Sequence, residues 1–119
     1  MVILEALKTV NLKTTNLEDS INFYTNYLDF DMVSQNEEEA ILTFDQLSIK
    51  VVLSDKIIEN EDHFPALSFI LDIDDFTDAI QETEEKKVFI FNGPNEIDGG
   101  ESLVVKDPGG NAIELFYKD

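Results

Sequence analysis

A chain of 119 residues is long enough for one compact domain with a real hydrophobic core, and 43% hydrophobic content with nine Phe excludes a disordered segment. A formal net charge of −18 excludes a nucleic-acid partner, because phosphates require a basic footprint. The absence of cysteine excludes disulfides, thiolate metal sites and a cysteine nucleophile.

Residues 7–14 alternate, with Val10 and Leu12 on one face and Thr9, Asn11 and Lys13 on the other, the pattern of a first strand. Asn16 then reads as a helix N-cap, with Asp19 in the first turn, where a carboxylate suits the helix dipole. Leu17, Ile21, Tyr24 and Leu28 form one apolar stripe of an amphipathic helix. Three strands are predicted after it, at 30–35, 40–44 and 47–53, separated by the acidic run Glu37–Glu39 and by a turn at Asp45-Gln46. A polar connector over 55–65 leads into a strand at 67–73. A second helix begins near Asp75, with Phe76, Ala79, Ile80 and Thr83 on one face. A strand at 88–91, a Gly/Pro loop at 92–100 and a strand at 102–106 follow. The turn Asp107-Pro108-Gly109-Gly110 and a last strand at 112–117 close the chain.

The order strand–helix–strand–strand–strand therefore occurs twice, an internal repeat carried by element order rather than by residue identity. The predicted class is α+β, mostly antiparallel, built of two βαβββ modules. One domain over 1–119 is expected, with module 1 at about 4–54, a connector at 55–65 and module 2 at about 66–119. No segment approaches the roughly 18 uninterrupted apolar residues of a membrane span, and MVILEALKTVNL lacks the basic region and cleavage pattern of a signal peptide. A soluble cytoplasmic protein is the expectation.

Strand alternation divides the predicted sheets into two faces. Val10, Leu12, Ile49, Val51, Leu53, Leu67, Phe69, Leu71, Ile73, Ile113, Leu115 and Tyr117 form apolar rows suited to packing under helices. The opposite rows carry Thr9, Asn11 and Lys13; Ser48, Lys50 and Val52; Ser68, Ile70 and Asp72; and Ala112, Glu114 and Phe116. That mixed face suits either solvent or a wet concave pocket. No Ser-His-Asp set can be assembled around the lone His63, and neither Gly99-Gly100 nor Gly109-Gly110 opens a helix as a phosphate loop would.

Three stretches carry a resemblance. NLEDSINFYTNYLDFDMV (16–33) is similar to the first helix of the vicinal oxygen chelate superfamily, which includes glyoxalases, bleomycin-resistance proteins and extradiol dioxygenases. VKDPGGNAIELFY (105–117) is similar to the final hairpin of that superfamily, and FILDIDDFTDAI (69–80) to its fifth strand and second helix. The resemblance implies two βαβββ modules around a small-molecule cavity. Asp29 stands where the family usually has Gly, at a position that tends to need a left-handed backbone.

The resemblance also locates a site. Metalloenzymes of the superfamily hold one divalent ion with His and Glu side chains from the first, fourth, fifth and last strands. Carried over by motif, these positions fall at Thr9, Lys50, Ser68 (Ala66 if the register slips by two) and Glu114. A metal needs neutral imidazole or carboxylate ligands, normally three or more from the protein. Two hydroxyls, an ammonium and one carboxylate do not supply them, so neither a bound metal nor another cofactor is expected. His63, in the connector, reads as a solvated loop residue rather than a displaced ligand. The expected ligand pocket comprises Thr9, Asn11, Lys50, Val52, Ser68, Ile70, Glu114 and Phe116, with Lys50 and Glu114 paired across it.

The functional expectation is a metal-free, resistance-type protein that binds and sequesters a small organic molecule. A cationic ligand is among the candidates, because the negative charge would draw one in, although a solvated acidic surface explains the same charge. The alternatives are a lyase- or dioxygenase-type enzyme, with atypical metal ligands or with Glu114 as a general base, and an interaction domain with a vestigial pocket. The resemblance implies a homodimer, and exposed edges of short sheets give that weak independent support.

Overall fold

The computed structural model describes residues 1–55, 64–72 and 76–119. Two compact units divide the chain, Met1–Ile57 and Ile58–Asp119. Each is a four-stranded mixed sheet with helical segments, and the α+β class with two βαβββ modules is as expected.

In the first unit β1 (Val10–Thr14) leads to α1 (Leu17–Asn22), a π-helical turn at Phe23–Tyr27, and then β2 (Asp31–Gln35), β3 (Glu39–Phe44) and β4 (Leu47–Leu53). The sheet order is β1-β4-β3-β2, with β1 parallel to β4 and the other neighbours antiparallel. The strand expected from residue 7 starts at Val10, where pairing with Ile49 begins. Asn16 caps α1 as expected, its side chain accepting the Asp19 amide at 3.0 Å. Beneath the cap, Ser20 Oγ donates to Thr14 Oγ1 at 2.7 Å, and both hydroxyls are buried. The motif serine thus ties helix to strand, where a buried hydroxyl without a partner would be costly.

The apolar stripe of α1 differs in detail from its expected phase. Leu17, Phe23 and Tyr24 are buried, whereas Ile21 and Leu28 are only half-buried. The cause is the π turn: the Leu28 amide donates to the Phe23 carbonyl, and the wider spacing rotates Phe23 inward. Tyr24 is fully buried, edge-on to Phe23 at 5.0 Å and to Phe30 at 5.3 Å between ring centres. The helix exits through extended Leu28 (φ −101°, ψ 162°), so Asp29 does not carry the left-handed backbone expected of it. Among the described residues, the non-glycine positions at positive φ are Asp45 (52°), in the two-residue β3–β4 turn, and Lys87 (55°).

In the second unit β5 (Leu67–Ile70), α2 (Phe76–Glu85), β6 (Phe89–Ile97), β7 (Gly100–Lys106) and β8 (Ala112–Lys118) repeat the plan, in the order β5-β8-β7-β6. The expected positions Ile73 and Asp75, most of the connector, and His63 lie outside the described residues. The helix ends in a Schellman arrangement: the Val88 amide donates to the Thr83 carbonyl and the Lys87 amide to that of Glu84. The expected loop at 92–100 is largely strand. β6 reaches Ile97, and its register shifts between Ile90 and Asn92 and between Asn92 and Asn95 absorb Gly93-Pro94. An edge strand tolerates proline because no ladder partner needs its missing N–H on the open side.

The closing hairpin is fixed by Asp107. The residue is 4% exposed, and its Oδ1 accepts the amides of Gly109 at 3.0 Å and Asn111 at 2.7 Å. The Asn111 side-chain amide donates to both oxygens, at 3.1 and 2.9 Å. Of the expected apolar rows, Leu12, Ile49 and Val51 in one unit and Ile113 and Leu115 in the other are buried, whereas Val10, Leu67, Phe69, Leu71 and Tyr117 are half-buried; Leu103 and Val105 of β7 add to the buried set. Phe76 of α2 stacks on Tyr117 of β8, with ring centres 5.5 Å apart. Leu53, by contrast, is 43% exposed at the end of its strand. Among the described residues no helix is long and apolar enough to cross a membrane.

Candidate functional site

The open face of the first sheet brings Asn11 and Lys50 side by side on parallel strands, with Lys13 opposite Val52. Thr9 immediately precedes β1, and its hydroxyl donates to Asn11 Oδ1 at 3.2 Å. Lys50 Nζ lies 3.3 Å from Glu39 Oε2, with both side chains about a third exposed. Glu39 stands two positions before Ile41, the cross-strand partner of Lys50, so the ion pair is diagonal. An open groove of about 650 Å³ at the end of β4 is lined by Thr15, Glu38, Leu53, Ser54 and Asp55, and by Val52 from the expected pocket.

The open face of the second sheet has the same construction with different chemistry. Ser68 stands beside Glu114 and Ile70 beside Phe116, again on parallel strands. Ser102, 6% exposed, donates its hydroxyl to Glu114 Oε2 at 2.7 Å. Ser102 stands two positions before Val104, the cross-strand partner of Glu114, and so repeats the diagonal of Glu39 and Lys50. Phe116 lies against Gly100, where a Cβ would come 2.9 Å from its ring and 1.9 Å from the Tyr117 carbonyl. Ile70 is 71% exposed.

The repeat is therefore present in the site as well as in the element order. Asn11–Lys50–Glu39 and Ser68–Glu114–Ser102 are equivalent trios, one on each sheet. Lys50 and Glu114 each have a partner within their own unit. Glu39 and Ser102 were missed from sequence, although both hairpin turns point to them: once Asp45-Gln46 and Asp107–Asn111 are turns, counting back sets the register. Among the described residues no three His, Asp or Glu side chains converge as a metal site would require.

Residues 6–115 match the family model of the Glyoxalase/Bleomycin resistance protein/Dioxygenase superfamily. The chain belongs to this superfamily. Within it, the chain is 32% identical over 104 residues to the metallothiol transferase FosB of Staphylococcus epidermidis, covering 85% of this chain and 73% of that protein. Among solved superfamily folds, the fosfomycin resistance protein FosX of Listeria monocytogenes superposes with a TM-score of 0.83 at 16% identity, covering 98% of this chain and 96% of FosX. An integron cassette protein from the mobile metagenome of V. Cholerae gives a TM-score of 0.74 at 24% identity, covering 100% of this chain and 99% of that one. These structural likenesses concern the fold.

Proposed function

We propose that this superfamily member binds and sequesters a small organic molecule without a resident metal. The observation that supports this most is Lys50, an ammonium in a half-exposed ion pair with Glu39, at a position where the resemblance calls for a metal ligand. A protonated amine has no lone pair to donate and repels a divalent cation. Thr9 and Ser68 offer hydroxyls, which are poor ligands for such an ion. Glu114 is the one carboxylate of the set, and one of its oxygens already accepts the Ser102 hydroxyl. The donor set does not fit the metal of the superfamily's enzymes, and no step through a metal follows. FosB is named a metallothiol transferase and FosX a fosfomycin resistance protein, so a resistance role is consistent with the company this chain keeps.

The rest of the proposal is one domain acting as a homodimer in the cytoplasm, with Asn11, Lys50, Val52, Ser68, Ile70, Glu114 and Phe116 on its binding faces and Thr9 at their margin. Elemental analysis of protein purified without chelators tests the metal-free reading. Less than about a tenth of an equivalent of transition metal is expected, and stoichiometric manganese, zinc, nickel or iron would overturn it and favour an enzyme. A thermal-shift screen against small molecules tests the binding, with stabilisation growing with ligand concentration as the mark of a native-state ligand. Light scattering at tens of micromolar tests the dimer, and a monomer would remove it.

A further inference from the structure

Resting on the binding role just proposed, we infer that Glu114 is the charge-recognition group for an organic ammonium with an apolar body, and that Ser102 is its positioning residue. Glu114 is half-buried in the middle of β8, flanked on one face by Ser68, Val104 and Phe116. Its Oε2 is held by the buried Ser102 hydroxyl, and among the described residues its Oε1 receives no hydrogen bond and the carboxylate has no cation. That oxygen reaches solvent, so the carboxylate keeps acceptor capacity that a ligand's donor can take up.

The surroundings define the complementary ligand. Ile70, 71% exposed, and Phe116, with its ring against Gly100, present apolar surface next to the carboxylate. A ligand placing an ammonium on Oε1 and a hydrocarbon or aromatic body over Ile70 and Phe116 satisfies both. The net charge of −18 adds a long-range field that concentrates cations and repels anions. The Ser102 hydroxyl holds the carboxylate in one rotamer, so less side-chain freedom is lost when the ligand docks.

The test uses the full chain and two probes of matched shape, 2-phenylethylammonium and neutral 2-phenylethanol, titrated by calorimetry and by ligand-observed NMR. The ammonium should bind more tightly than the alcohol, and E114Q should remove about tenfold of the ammonium's affinity and distinctly less of the alcohol's, because only the ammonium loses an ion pair. S102A should lower ammonium affinity about threefold, with S102T restoring it at an unchanged melting temperature. A purely structural role for Ser102 would instead weaken both probes in step with stability. Equal binding of the two probes, binding of neither at millimolar concentration, or an unchanged preference in E114Q would overturn the inference. Repeating the titrations with Mn(II) keeps the readings apart: manganese that binds the parent chain and competes with the ammonium overturns the metal-free role, whereas the metal-free preference for ammonium judges Glu114 alone.

Discussion

Replacing Asp107 with Ala should destabilise the protein by about 3 kcal/mol, and the structure shows why. The carboxylate accepts the Gly109 and Asn111 backbone amides and the Asn111 side-chain amide, with Gly109, Asn111 and Asp107 itself all buried. Each buried donor left without an acceptor costs about 1–3 kcal/mol, so three of them set an upper bound near 9 kcal/mol. Pro108 is exposed and Gly110 half-exposed, so water can enter the emptied turn and satisfy part of this demand, which brings the figure to the lower end. Asp107→Asn keeps an oxygen for the two backbone amides and for one contact from the Asn111 side chain, and loses only the contact at the second oxygen, for a cost of about 1 kcal/mol. Urea unfolding followed by circular dichroism reads the difference, with a midpoint about 1–3 M lower for the alanine variant at ordinary m-values. An alanine variant within about 0.5 kcal/mol of the parent, or an asparagine variant as damaging as alanine, would refute the hydrogen-bond account.

Lys87→Gly should stabilise by about 0.5–1 kcal/mol, since Lys87 sits at φ 55° after α2, where glycine has no Cβ penalty; thermal melting should rise by a few degrees. Gly100→Ala should cost about 1–3 kcal/mol or more, because the new Cβ would lie 1.9 Å from the Tyr117 carbonyl; a variant with unchanged chemical denaturation would contradict that packing. A double-mutant cycle of Thr14→Val and Ser20→Ala should show coupling of about 1 kcal/mol across the buried hydroxyl pair, and strict additivity would remove the link between β1 and α1. Lys50→Met should change stability by less than about 1 kcal/mol, as its ion pair with Glu39 is a third exposed; a loss above about 2 kcal/mol in the same unfolding assay would show a buried role for the pair.

The amino-acid order alone determines the element sequence, the cap at Asn16, the closing turn at Asp107 and the apolar rows, because each rests on local chemistry or a short period. It also carries the family, through the two end motifs around Ser20 and Glu114. The departures arise where distant atoms overrule local pattern. Gly93-Pro94 reads as a loop locally, yet β7 supplies a partner strand and register shifts make room for the proline. Asp29 stands at a glycine position, yet the π turn ends the helix with Leu28 extended and removes the need for a left-handed residue there. The site shows the same division. Lys50 and Glu114 are visible from their motifs, but Glu39 and Ser102 become their partners through diagonals across antiparallel strands. Those diagonals depend on register, and register is settled when the hairpins close and bury one face of each sheet.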